Sequence, residues 1–198
     1  MGMADIRELN RLAVDHSVTL VSRVTAADLG RATPCSGWNL ADLLSHMIVQ
    51  HHGFAASARG QGADPAIWAP QPLSDDPVAE YAEAAADVTA AYAESGVLER
   101  YFDLPEFAPG FRAPGSLAIG FHFIDYVVHG WDVARTLGLD YRLDDTLAEP
   151  ALGIATAVPD GTERLQPGAA FAPSLSSPTT DPLERILTLL GRSPGWPH

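Results

Sequence analysis

The chain has 198 residues, 46% of them hydrophobic and 19% charged, which gives enough apolar material for a sizeable core and too little charge for a disordered chain. Its 25 acidic residues outnumber 12 basic ones, all arginine, for a formal net charge of −13. Such a surface repels nucleic acid and anionic membranes, and the single cysteine, Cys35, excludes both an intramolecular disulfide and a cysteine-rich zinc site. The first residues lack the apolar core of a signal peptide, and no apolar run approaches the roughly 20 residues of a membrane span, so a soluble, cytoplasmic protein is expected.

Taken in order, Ile6, Leu9, Ala13, Leu20 and Val24 predict a first helix over residues 5–24, with His16 among polar neighbours. Thr33 to Asn39 is rich in helix breakers. Asn39 with Asp42 reads as an N-cap and an acidic first turn, opening a second helix to about residue 58. Its apolar stripe is Leu40, Leu43, Leu44, Met47 and Ile48, and His46 lies at the edge of that stripe. On a helix His51 and His52 point about 140° and 240° away from His46, so the three do not form one site.

Residues 60–76 read as a long loop carrying Ile67 and Trp68, able to lie over the mouth of a pocket. Pro77 suits a first helical position after an aspartate cap, and a third helix is expected to residue 95, before Gly96. Tyr81 and Tyr92 lie on its inner stripe, with hydroxyls expected near the surface. Residues 98–116 are punctuated by Pro105, Pro109, Gly110 and Pro114 and read as irregular. Ser116 is the expected cap of a fourth helix that ends before Gly138. Beyond it, short helices are expected over residues 144–158 and from Pro182 to Gly191. Ala169 to Ala172 is a candidate extended piece.

The fourth helix is the most apolar, yet it carries His122, Asp125, His129 and Asp132 at steps of three, four and three, which puts all four on one broad helical face. His122 and His129 lie two turns apart, roughly 10 Å along the axis, too far to share one ion. Asp125 and His129 lie one turn apart and can, which leaves Asp132 to orient an imidazole or to make a surface ion pair. Four polar groups on a buried helix need partners. Either hydrogen bonds between helices or a metal ion satisfies them. Cys35, just before the second helix, invites a ligand or nucleophile role, although a small buried cysteine is the commoner use.

Together, Thr33-Pro-Cys-Ser-Gly-Trp-Asn39, Asp42-Leu-Leu-Ser-His46, Asp125-Tyr-Val-Val-His-Gly-Trp-Asp-Val-Ala134 and the tail through Leu189-Leu-Gly-Arg-Ser-Pro-Gly-Trp196 give a family resemblance. The chain resembles the DinB-like four-helix bundles, and within them the actinobacterial branch related to the N-terminal domain of mycothiol-dependent maleylpyruvate isomerase. The resemblance implies an all-α protein: a four-helix bundle with long inter-helix loops over residues 1–140, and a short helical C-terminal extension, 141–198, packed on the same domain. It also implies a divalent metal, zinc or nickel, held by His46, Asp125 and His129 with coordination positions left open. A low-molecular-weight thiol such as mycothiol is the implied co-substrate, and a small-molecule thiol or electrophilic substrate the implied partner. Homodimers are common among such bundles.

Two departures limit the carry-over. Asp125 stands where the isomerase has a glutamate, and its shorter arm is expected either to weaken metal binding or to draw an ion towards the fourth helix. The C-terminal part does not resemble the isomerase's dedicated C-terminal domain, so that enzyme's own isomerase activity is not carried over. Two functions are therefore expected: a metal-dependent thiol transferase or isomerase, or a non-catalytic bundle that binds a metal or small ligand. Trp38, Trp68 and Trp131 are candidates for lining a pocket or filling the core.

Overall fold

Short polar side chains start most of the helices by accepting hydrogen bonds from amides in the first turn. The computed structural model describes residues 5–166 and 169–197. Within them run α1 (Ile6–Val21), α2 (Leu40–Ala58), α3 (Pro77–Tyr92), β1 (Tyr101–Asp103), β2 (Arg112–Pro114), α4 (Gly115–Leu137), α5 (Asp145–Ala157) and α6 (Pro182–Leu189). Asp5, Asn39, Asp76, Asp144 and Asp181 cap α1, α2, α3, α5 and α6 respectively. At α2 the bonds are reciprocal, with Asp42 N donating to Asn39 Oδ1 and Asn39 N to Asp42 Oδ2, which makes a capping box.

The start of α4 departs from expectation. Ser116 does not cap it. Instead the helix begins at Gly115 directly out of β2. Its first amides are satisfied from across the chain, Gly115 N donating to Arg100 O and Ser116 N to Leu98 O. The region expected to be irregular thus contains an antiparallel hairpin that pairs Tyr101 with Pro114, Phe102 with Ala113 and Asp103 with Arg112. Phe102 and Ala113 point into the core, whereas Asp103 and Arg112 form an ion pair at 2.9 Å on the outside. Helix α1 also stops early, at Val21. Beyond it, Asp28 accepts hydrogen bonds from the Thr25 amide and hydroxyl and holds a turn. Helix α3 ends at Tyr92, and Gly96, at φ +73°, sits in the turn that follows. Residues 169–172 belong to no strand.

Helix α1 packs against α3 and α4, and α2 does the same, so the four long helices close into a ring around one core. Leu9, Val14, Leu44, Met47, Phe123 and Val127 lie in that core. Helices α5 and α6 add Leu147, Ala151, Ile186 and Leu187 to it. Arg164, itself buried, ties the C-terminal segments together by donating to the carbonyls of Val158, Pro159, Ala172 and Leu189.

A second apolar cluster joins Phe54 and Trp68 to Tyr92, Phe102 and Ile119. Trp68 reaches it because Gly53 lacks a side chain: a Cβ there would lie 2.5 Å from the indole ring. Its Nε1 donates to Gly62 O at 2.9 Å, so this tryptophan is a core residue and not a pocket wall. The tyrosine hydroxyls also differ from expectation. Tyr81 is fully buried, with its hydroxyl 2.7 Å from that of Ser17 on α1, and the Tyr92 hydroxyl is buried with no partner among the described residues. Among the described residues no helix is long and apolar enough to cross a membrane.

Candidate metal centre

Helices α2 and α4 lie side by side, and the three- and four-residue steps along each turn chosen side chains towards the seam. His46 comes from α2, and Asp125 and His129 from adjacent turns of α4. Asp125 Oδ1 lies 3.3 Å from His129 Nε2, and Asp125 Oδ2 lies 3.8 Å from His46 Nε2. One donor atom from each of the three residues falls within 4.8 Å of the others. A tetrahedral ion with bonds near 2.1 Å needs donor atoms roughly 3.4 Å apart, a spacing that Asp125 and His129 already have and that His46 approaches.

The centre is asymmetric. The His129 side chain is 4% exposed, against 26% for His46 and 19% for Asp125. Solvent therefore reaches it from the His46 side. Trp38, 37% exposed, lies there with its ring centroid 5.0 Å from that of His46. Trp131 instead fills the main core, with the Arg135 guanidinium over its ring.

Behind His129 lies a fully buried carboxylate. Asp132 Oδ2 is 2.9 Å from His129 Nδ1, an arrangement that fixes the imidazole and leaves Nε2 for the front. This settles the two roles open for Asp132: it is not a surface ion pair. Arg192, which follows α6, donates from Nε to both Asp132 oxygens at 3.1 and 3.2 Å. Its Nη2 donates to Asp132 Oδ2 at 3.1 Å and to Cys35 Sγ at 3.2 Å. Cys35 Sγ in turn donates to Asp132 Oδ2 at 3.1 Å. The Cys35 loop is held locally: Thr33 Oγ1 accepts from Cys35 N at 3.1 Å, and Gly37, at φ +83°, makes the reversal that aims α2.

Arg192 is the residue that the spacing argument misses. No local pattern marks it, because its partners lie 60 and 157 positions away in sequence. His122 is separate, as its two-turn offset predicts. It is fully buried, with Nε2 3.2 Å from His51 Nδ1 and Nδ1 2.7 Å from Asn10 Oδ1. Burial lowers the His122 pKa to about 3 and that of His51 well below its usual value, so both stay neutral. His16 stacks on Tyr141, with ring centroids 4.8 Å apart, and takes no part in the centre.

Charge is tightly coupled at the front. Burial alone would raise the Asp125 carboxyl, but the His129 charge and hydrogen bonds from His129 and His46 outweigh it and hold the pKa well below the usual carboxylate range. Burial alone would likewise lower His129, but Asp125, aided by hydrogen bonds with Asp132 and Cys35, carries its pKa well above 6.5. The carboxylates at both ring nitrogens favour the imidazolium form of His129. The pair therefore stabilises the metal-free fold between two limits: its contribution is lost as pH falls through the depressed Asp125 value or rises through the raised His129 value.

An ion bound through Nε2 would have to displace the proton there. Uptake at pH 7 is thus expected to release about one proton per ion, read by calorimetry in buffers of different ionisation enthalpy. Proton-neutral uptake would mean that the ion does not use His129.

The profile of the mycothiol maleylpyruvate isomerase N-terminal domain matches residues 11–134. Two uncharacterized proteins of Mycobacterium tuberculosis, from strains CDC 1551 / Oshkosh and ATCC 25618 / H37Rv, are each 30% identical over 187 residues, covering 91% of this chain and 94% of their own. The crystal structure of the mycothiol-dependent maleylpyruvate isomerase superposes with a TM-score of 0.56 at 15% identity, over 79% of this chain and 70% of that one. A histidine-to-alanine mutant of that enzyme gives the same TM-score at 14% identity. At such low identity the superposition speaks for the fold, all-α and DinB-like with a helical C-terminal extension. The profile covers all four bundle helices except the first turns of α1 and the end of α4. The chain therefore belongs to the mycothiol maleylpyruvate isomerase N-terminal domain family, within the DinB-like superfamily.

Proposed function

We propose that this protein binds one divalent ion, zinc or nickel, through His46, Asp125 and His129, and works with a low-molecular-weight thiol such as mycothiol in a transfer or isomerisation reaction. The observation that carries the reading is the lopsided burial of the three donors. His129 is enclosed and braced from behind by Asp132, while His46 and Asp125 meet solvent, so positions are left open on that side. Closed structural sites fill every position with protein, whereas catalytic ones keep a place for water or substrate. When bound, such an ion lowers the pKa of a water or thiol that joins it.

The chain's own residues would do the rest. Asp132 holds His129 in one orientation, and Asp125 supplies the negative charge that offsets the ion. Trp38 offers an exposed indole face beside His46 for the body of a thiol or an electrophilic substrate. Residues 141–198 would form an extension of the same domain, a reading supported by the α5 and α6 side chains in the main core and by Arg192 behind the centre. The net charge of −13 argues against a nucleic-acid partner. A cytoplasmic location suits a reduced thiol pool, and pairing into a homodimer fits bundles of this kind.

The test uses purified, nickel-loaded protein titrated with mycothiol. A sulfur-to-nickel charge-transfer band, saturating at one thiol per chain, is expected. Stoichiometric nickel without such a band would sink the thiol reading and favour a bundle that binds metal without this chemistry. Protein that takes up neither nickel nor zinc would remove the metal as well.

A further inference from the structure

His129 has a second face. Its Nδ1, the Cys35 sulfur and an Asp132 oxygen also lie within 4.8 Å of one another. By donor type this rear set is the stronger one, since a thiolate with an imidazole and a carboxylate suits zinc, cobalt and nickel well. The rear set already holds a cation. The Arg192 guanidinium reaches both Asp132 oxygens and the Cys35 sulfur, at 3.1–3.2 Å. Arg192 is 6% exposed and Asp132 is fully buried, so little water screens this contact. A divalent ion brought to the same donors would stand a few ångströms from a fixed positive charge, at a strongly repulsive energy in such a medium.

We propose that Arg192 is a built-in guard cation. It keeps the Cys35–His129–Asp132 set free of metal, confines the ion to the His46 side and leaves the Cys35 sulfur unligated. Resting on the metal reading of the front set, the inference adds that a second, thiolate-containing site is latent in the fold and is masked by the C-terminal tail. Coordination there would send the Cys35 thiol proton and the His129 Nδ1 proton to solvent, with no change of oxidation state.

Cobalt(II) is the probe, because a sulfur-to-cobalt charge-transfer band reports thiolate ligation directly. Full-length wild-type protein is expected to take up cobalt without that band. Arg192→Ala is expected to gain it at one thiolate per chain, and Arg192→Ala with Cys35→Ser to lose it again. Arg192→Gln, which keeps more of the side-chain volume without the charge, serves if the alanine variant does not fold, with circular dichroism as the check. A band already present in wild type would overturn the inference, as would folded, neutral Arg192 variants that never show one. The two readings fail separately. Wild type that binds no cobalt removes the front site while a band in the variant still supports the guard. Cobalt bound without a band in wild type and variants alike keeps the front site and discards the guard.

Discussion

His129→Ala is expected to abolish stoichiometric metal binding, and His122→Ala to leave it intact. The two histidines sit on the same helix, both buried, yet they serve different networks. His129 Nε2 faces Asp125 at 3.3 Å and shares the seam with His46. His122 spends both ring nitrogens on His51 and Asn10. Loss of an outer hydrogen-bond partner typically costs a metal site about 10–100-fold in affinity. Loss of the central ligand of three is therefore expected to cost more than that, leaving no zinc or nickel after gel filtration. His46→Ala is expected to act in the same direction.

His122→Ala pays in a different quantity. It opens a cavity among Phe54, Tyr92 and Tyr126 and orphans Asn10 Oδ1 and His51 Nδ1, for a cost of about 3 kcal/mol in urea unfolding. Elemental analysis of the variants beside wild type decides the matter. Equal metal loss from both would discard the pairing of Asp125 with His129.

What is legible in the sequence follows from the range of the interactions. The α2 start was readable because its capping box spans three residues, and the α4 end because Gly138 takes a left-handed conformation just past it. The coming together of Asp125 and His129 was readable because both lie on one helix, where sequence spacing is geometry. His46 entered through family resemblance, and the position of α2 beside α4 is what brings it to the pair. The hairpin was not readable: three-residue strands are too short to show alternation, and it is held by Phe102 and Ala113 packing inward. Ser116 is not needed as a cap for a different reason: carbonyls of Arg100 and Leu98, distant in sequence, meet the first α4 amides. Cys35 and Arg192 form one cluster across almost the whole chain, and no periodicity encodes a contact over 157 positions.

The Asp132–Arg192 pair in that cluster gives the largest expected loss of stability. Asp132→Ala is expected to destabilise the metal-free protein by about 3–5 kcal/mol, because it leaves the Arg192 guanidinium buried without its carboxylate. In a chain of this size that corresponds to a fall in Tm on the order of 10 °C. The charge of Arg192 and the hydrogen bond from His129 both act to hold the Asp132 carboxyl below its usual range, against the burial that would raise it. The stability at stake is thus present above the ordinary carboxylate pKa and lost as pH falls through the depressed one, so the gap between wild type and Asp132→Ala should narrow in acid.

Asp132→Asn keeps an oxygen for His129 Nδ1–H but removes the charge, and about 1–3 kcal/mol is expected from it. Replacing both partners, as in Asp132→Leu with Arg192→Leu, should recover much of the loss, since a buried pair exchanged for apolar groups is often neutral while half of one is not. Urea unfolding of the four proteins with metal removed measures each step. A deficit below about 1 kcal/mol in Asp132→Ala would mean that water reaches the guanidinium. The tail would then be a cover laid over the bundle and not the brace that sets His129.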